Sequence, residues 1–404
     1  MSEEACQAQP HPLGAMEPWL DAVFPIVTTL LCLHQRLAAY SLLCLYLLVR
    51  LLIQRNARPW RWILISLLIV HAGLIIQDRD IRPGGPSDYL IIALSFAAGL
   101  QKSEQQWRRS LIWMGSCILP LLAFSLQAGD QMLVASSSFM GFNINKLGFL
   151  AGLLTVIAYG LLRQARTPLA RTGASLLIAA GVSEALLSQS RAALAVPLVA
   201  ISIDQLTRLR WTPRRSLVTA LACLLIGSAA VHSWYGGFGI QGNTLSDLNR
   251  FATIRCWLAS TTDSRQGLLF GLGYGKPAQR FCGPETIPSL KAMDKTKGLS
   301  HAHNFYAQIF AETGLAGLVL SLGFTAVALR RAWRLRGTGQ RPVAFPLIVY
   351  LVLMALGITF WQVLMLNQVL IGYSLALLSG VPADREPADG STPAARPDAT
   401  AAPG

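Results

Sequence analysis

The chain has 404 residues, of which 53% are hydrophobic and only 13% charged, and its mean hydropathy is +0.45. About a quarter of an average soluble domain is charged, so this composition excludes an ordinary soluble globular protein. The net charge of +14 is no argument for nucleic acid, because Lys and Arg gathered in the short loops on one side of a membrane give the same total. No nucleic-acid partner is expected.

Apolar runs of roughly 17–25 residues can cross a bilayer as helices, and here they recur along nearly the whole chain. The pattern predicts an all-α polytopic membrane protein with about twelve spans, at 19–33, 38–53, 60–76, 88–100, 110–127, 147–162, 172–188, 192–206, 216–234, 304–329, 343–360 and 362–379. Several are short for a full crossing, and Pro25 and Pro197 mark places where a kink would help. A transmembrane domain is thus expected over 19–380, after an N-terminal tail at 1–18. No Lys or Arg occurs before Arg36, so the basic start of a cleavable signal peptide is missing. The stretch 381–404, rich in Ala, Pro, Asp and Thr, has no apolar face to bury and is expected to be a disordered cytoplasmic tail.

Orientation follows from the short connections. With the N-terminus in the cytoplasm, nineteen Lys and Arg fall in the inside loops, among them Arg108, Arg163, Arg208 and Arg336. Only five fall outside: Arg36, Arg79, Arg82, Lys146 and Arg191. That asymmetry predicts both termini in the cytoplasm. One connection is different, a loop at about 235–303, external and basic, and too long for a turn. Long translocated loops tolerate such charge, and an anionic ligand at the membrane surface would explain its use. Two of the seven cysteines, Cys256 and Cys282, lie in this loop, where oxidation is permitted. Whether they pair is left open by spacing.

Candidate chemistry gathers at the same face. Arg191 opens a span in LLSQSRAALAVPL, where a guanidinium is costly unless it is paired or faces water. The segment DLNRFATIRCWLASTTDSRQGLLFGLGYG at 247–275 reads as an amphipathic helix followed by a glycine turn, and holds Arg250, Arg255 and Arg265. Arginine suits phosphate because its planar fork donates two parallel hydrogen bonds. GLGYG lacks the strand and crossover of a nucleotide loop and is read as a tight turn. The stretch SHAHNFYAQIFAETGLAGLVL at 300–320 then sets His301, His303 and Asn304 at the mouth of an apolar helix. Two histidines two apart without a third ligand are poor metal spacing, so no metal or other cofactor is expected. Imidazole is poised for proton transfer near neutral pH. Asn304 could orient a ring or hold a sugar hydroxyl, and Glu312 is expected to pair with an arginine or a backbone group rather than act as base. The small residues Gly314 and Gly317 favour close helix packing.

Three blocks in this order resemble the O-antigen ligase family, in the ligase–polymerase superfamily of membrane glycosyltransferases: SRAAL at 190–194, the Trp257 helix with its Gly271–Gly275 turn, and HAHNFYAQIFAETGLAGLVL. A fourth, weaker block is NINKLG at 143–148, which brings in Lys146. The resemblance covers roughly 140–330. It implies a C-type glycosyltransferase-like fold and a metal-independent, inverting transfer. The glycan would pass from undecaprenyl pyrophosphate to a sugar hydroxyl of lipid A-core, on the periplasmic face of the inner membrane. Arg191 with Arg255 or Arg265 would bind pyrophosphate, with Arg250, Asn304 and Lys146 as further binding candidates. His303 would be the general base, a role His301 could exchange with it. The family often has Arg where this chain has Thr253, so the second arginine stays open among the three in the loop. An O-antigen polymerase is the nearest rival reading and a membrane transporter the rival from another class.

Overall fold

The computed structural model describes residues 104–128, 144–188, 191–208, 243–273, 281–288, 302–338, 341–357 and 365–379, with single helical positions at 92, 95, 96 and 99. The expected spans at 19–33, 38–53, 60–76 and 216–234, most of 88–100, both tails and His301 lie outside the described residues. Every regular element among the described residues is a helix. In chain order these are α1 (Glu104–Ser116), α2 (Ile118–Ala128), α3 (Ile144–Gln164), α4 (Pro168–Leu187) and α5 (Arg191–Arg208), followed by α6 (Asn243–Thr262), α7 (Arg265–Phe270), α8 (Phe305–Thr338), α9 (Ala344–Ala355) and α10 (Met365–Ser379).

Among the described residues, four stretches are by length and composition apolar enough to cross a membrane: Trp107–Gln127, Leu147–Gln164, Pro168–Leu187 and Phe305–Arg336. The helix at the expected eighth span, α5, carries Arg191, Asp204 and Arg208 within its 18 residues. Helix α3 is apolar on every side and is enclosed accordingly, with Phe149, Leu150, Leu153 and Leu154 all but inaccessible. A helix greasy all round belongs at the centre of a bundle. Small residues let its neighbours come close. Tyr350 of α9 lies against Gly152, where a Cβ would overlap its ring, and donates its hydroxyl to the Phe149 carbonyl at 2.7 Å. Val343 lies against Gly160 in the same way.

One end of the bundle is tied by a polar layer. Asp204 is fully buried and takes a two-pronged bond from Arg208, at 2.9 and 3.0 Å, and a third from the Tyr159 hydroxyl at 2.7 Å. Arg336 donates to the Thr207 carbonyl at 3.0 Å, and Arg341 to the Leu377 carbonyl. These bonds set the ends of α3, α5, α8 and α10 and the start of α9 in one layer. They also fix relative heights. From Thr207 back to Arg191 is 16 residues of helix, about 24 Å at 1.5 Å per residue. Lys146 stands about as high on α3, counted from Tyr159. Both candidates therefore sit at the opposite end of the bundle, about 20–24 Å away.

The expected span 304–329 is the place where the fold departs from the sequence pattern. Helix α8 does begin there, but it breaks at Gly314, whose φ is 69° and ψ −163°. The break is a fold-back: the Tyr306 hydroxyl and Thr325 Oγ1, 19 residues apart, lie 3.1 Å from each other. In an unbroken helix their backbones would be about 28 Å apart. A first arm, 305–313, therefore runs back beside a second arm, 315–338. Asn304 Nδ2 donates to the Leu356 carbonyl at 3.0 Å, which pins the start of the first arm to the end of α9. His303 and Asn304 thus stand beside residues 320–325 of the second arm, at the height of Arg191 and Lys146, and the bend lies further out.

Candidate functional site

Beyond that height α6, α7, the segment 281–288 and the first arm of α8 form a cap with its own small core. Trp257, Cys282, Ile287, Ala302, Ala307 and Ala311 make it up. Helix α6 faces this core with Asn249, Thr253, Trp257 and Thr261, a repeat of four that marks one side of a helix. Cys256 is disulfide-bonded to Cys282, which fastens α6 to the segment 281–288 and answers the pairing question. Helix α7 starts on Ser264, whose hydroxyl accepts from Gly267 N at 2.9 Å, and ends at Gly271, whose φ is 76°. The next two amides, Leu272 N and Gly273 N, donate to the Ala311 and Glu312 carbonyls at 2.8 and 3.0 Å. Those carbonyls lost their partners within α8 when it broke at Gly314. The glycine turn, so far as it is described, is the tight turn expected, and it caps a broken helix.

His303 stands at the root of the first arm. It is the one described residue other than glycine with positive φ, at 55°, a conformation that costs an L residue of order 1 kcal/mol and needs enforcement by its surroundings. The neighbours supply it. On one side, Ala302 N donates to Gln308 Oε1 at 3.0 Å, and Gln308 Nε2 donates to Glu312 Oε1 at 2.6 Å. On the other, Asn304 Oδ1 accepts from Ala307 N at 2.9 Å, the bond of a helix N-cap. Both ends of the Asn304 amide hold backbone, Oδ1 that of the first arm and Nδ2 that of α9. Glu312 accepts from the side-chain amide of Gln308, one turn before it.

Burial pushes the His303 imidazole down to about 4, and the nearby positive charge of Arg250 adds to the shift. Both effects disfavour the charged form, so the ring is neutral at physiological pH and can accept a proton. Arg250 is half-buried, on the same flank of α6 as Thr253 and Trp257. Arg255 is exposed on another side, and Arg265 is exposed at the start of α7. Thr253 is wholly buried in the cap, where an arginine side chain could not be accommodated without displacing the core. Of the three loop arginines, Arg250 is the one whose charge reaches His303. Arg191 is the first residue of α5 and Lys146 lies in the first turn of α3; their side chains are outside the described set.

Among the described residues no cluster of three or more His, Cys, Asp or Glu could hold a metal ion. Gln308 was not singled out in the sequence, although its spacing of four from Glu312 is a recognisable helical pair. The Thr-Gly step at 313–314 inside an apolar run was the visible sign of the break.

Long apolar helices, a tied polar layer at one end, and a histidine with arginine at the other define an all-α membrane protein with a polar site at the end of its bundle. Residues 174–322 match the profile of the O-antigen ligase family, the family that the sequence motifs resemble. The matched segment runs from α4 into the second arm of α8 and holds every candidate residue except Lys146. Over this segment, somewhat less than half of the chain, the protein is similar to that family. No curated protein matches the chain.

Proposed function

We propose that the protein is an O-antigen ligase, transferring a glycan from undecaprenyl pyrophosphate to a sugar hydroxyl of lipid A-core at the periplasmic face of the inner membrane. The observation that carries this reading is the neutral His303 imidazole beside Arg250, at the height where the apolar length of the bundle ends. A lipid-linked pyrophosphate has its charged group at that height and its chain below it. The Cys256–Cys282 bond and the sparse basic charge in the other loops of that face support a periplasmic position.

In the reaction, His303 takes the proton of the acceptor hydroxyl as its oxygen attacks the anomeric carbon. The bond from that carbon to the pyrophosphate oxygen breaks, its electron pair leaves with the lipid pyrophosphate, and the configuration inverts. The charge that grows on the leaving group is met by Arg250, with Arg191 and Arg265 as further clamp residues. Arg255, turned to solvent on another side of α6, has a weaker case than its place beside Trp257 suggested. A bound pyrophosphate near His303 also raises the basicity of the imidazole, so the base gains strength once the donor is in place.

The test is His303→Ala in reconstituted membranes. The expected result is loss of transfer with donor binding retained. Full transfer by the variant would remove His303 from the base role, and His301→Ala would then be the next variant to assay.

A further inference from the structure

Helix α6 rises beside the first arm of α8. Arg250 lies near His303 at the root of that arm, and Trp257 packs among Ala302, Ala307 and Ala311. Thr261 meets α7, which is seated on the break at Gly314. From Arg250 to Thr261 the helix climbs about 16 Å, comparable with the first arm itself. The side of α6 turned away from this core carries Phe251, Arg255 and Leu258, all exposed and within an arc of about 60°. Phe251 is 74% exposed. The apolar surface does not stop there. Leu268, Leu269 and Phe270 of α7 are exposed, and α7 adjoins the top of the second arm, where Leu315, Val319 and Leu320 are exposed as well. Contiguous exposed apolar surface of this kind marks a contact site.

We propose that this flank of the cap rests against the bilayer leaflet on His303's side, with Arg255 among the headgroup phosphates. Height, continuity and charge favour lipid over a protein partner. Phe251 is level with His303, where the apolar length of the bundle ends; Arg255 is about 6 Å higher and Leu258 about 10 Å. A headgroup zone adds about 5–8 Å to each side of the hydrocarbon core. This order sets a phenylalanine at the hydrocarbon edge and a guanidinium at the phosphates, the depths such side chains prefer. The flank also continues the exposed apolar side of the second arm, which belongs to a stretch long and apolar enough to cross the membrane. The charge agrees, since the loop at 235–303 holds eight Lys and Arg against four Asp and Glu and so suits anionic headgroups. Arg255 thereby gains a partner distinct from pyrophosphate. The proposal needs the membrane reading alone, whatever the donor and acceptor are.

The experiment places the photoreactive residue benzoylphenylalanine at 251, 258 or 270 of the full protein, in vesicles of equal phosphatidylglycerol and phosphatidylcholine. The same residue at 320, on the second arm, is the lipid-facing reference. All four positions are exposed, so the replacement leaves the packing intact. Phospholipid adducts are expected at 251 with a yield near that at 320, falling through 258 to 270 as the surface rises out of the leaflet. Absence of lipid adducts at 251 and 258, with 320 labelled, would overturn the proposal. So would crosslinked dimers at those positions, which would make the flank a contact between copies of the chain. At 258 phosphatidylglycerol should be favoured over phosphatidylcholine about fivefold, and Arg255→Gln should bring that ratio to about one. An equal ratio in both proteins would contradict the placing of Arg255 among the headgroups. Lipid crosslinking needs neither glycan nor turnover, so failure of the ligase reading and failure of the membrane contact are read separately.

Discussion

Gly271 and Gly314 lie back to back. A Cβ on Gly271 would overlap the Glu312–Thr313 peptide, and one on Gly314 would overlap the backbone of Leu269 and Gly271. Both also have positive φ, at 76° and 69°. The contact seats α7 on the break of α8, and so fixes the arginine-bearing cap relative to His303.

Alanine at either glycine meets two costs together. The left-handed backbone costs an L residue about 1–2 kcal/mol, and overlap with rigid backbone adds about 1–3 kcal/mol. Gly271→Ala and Gly314→Ala are expected to lower the thermal unfolding temperature of the purified protein and to reduce transfer. Gly323→Ala is the control: it lies in the helical second arm with open space around its Cβ position, and should leave stability unchanged or slightly raised.

The pH response follows from His303. Its pKa in the folded protein is about 4, below the ordinary 6.5, so as pH falls the unfolded chain binds a proton before the folded one does. Its contribution to stability is full above 6.5 and is lost as pH falls from there to about 4. For activity, the acid limb of kcat/KM belongs near pH 4 in the free enzyme. Arg250→Gln removes the like charge, so the His303 pKa rises and that limb moves to higher pH. A pH–rate profile of the two proteins checks the sign; an unmoved limb would separate Arg250 from His303.

The link from Glu312 through Gln308 to the Ala302 amide positions His303 without touching substrate. Gln308→Ala should lower kcat by about a hundredfold, as displacement of a catalytic group by about 1 Å does, and leave donor binding near its original strength. Equal losses in donor binding and turnover, with a lowered unfolding temperature, would show a purely structural part instead.

The Cys256–Cys282 bond closes a loop with a sequence separation of 26. Loop-closure entropy gives such a crosslink about 3.5 kcal/mol of stabilisation. Replacing both cysteines by serine, or treating with reductant, should therefore loosen the cap first. Faster proteolysis within 243–288 and reduced transfer are the expected outcomes, with the polar layer around Asp204 unaffected.

The helical architecture was legible in the sequence because the periodic apolar runs are long and their ends are charged. Helices α3, α4 and α5 fall within a few residues of the expected spans, since nothing in their packing competes with their hydropathy. Helix α8 does not, because hydropathy registers greasiness and is blind to direction. The first arm is apolar enough to continue the span, yet Gly314 turns it back to pack its alanines on Trp257. The candidate site was legible as residue types at one face. That Arg250 and not Arg255 lies on the flank of α6 nearer the cap core was not, because it depends on which side of α6 meets the first arm. The capping bond of Asn304 was not legible either, because a helix cap and a sugar site call for the same side chain.

The central claim is tested most directly by incubating the reconstituted protein with a defined undecaprenyl-pyrophosphate-linked glycan and purified lipid A-core, with a chelator present. The expected result is glycan joined to lipid A-core by the wild-type protein and none by His303→Ala. Lengthening of the lipid-linked glycan with the lipid A-core left bare would contradict it and make the protein a polymerase.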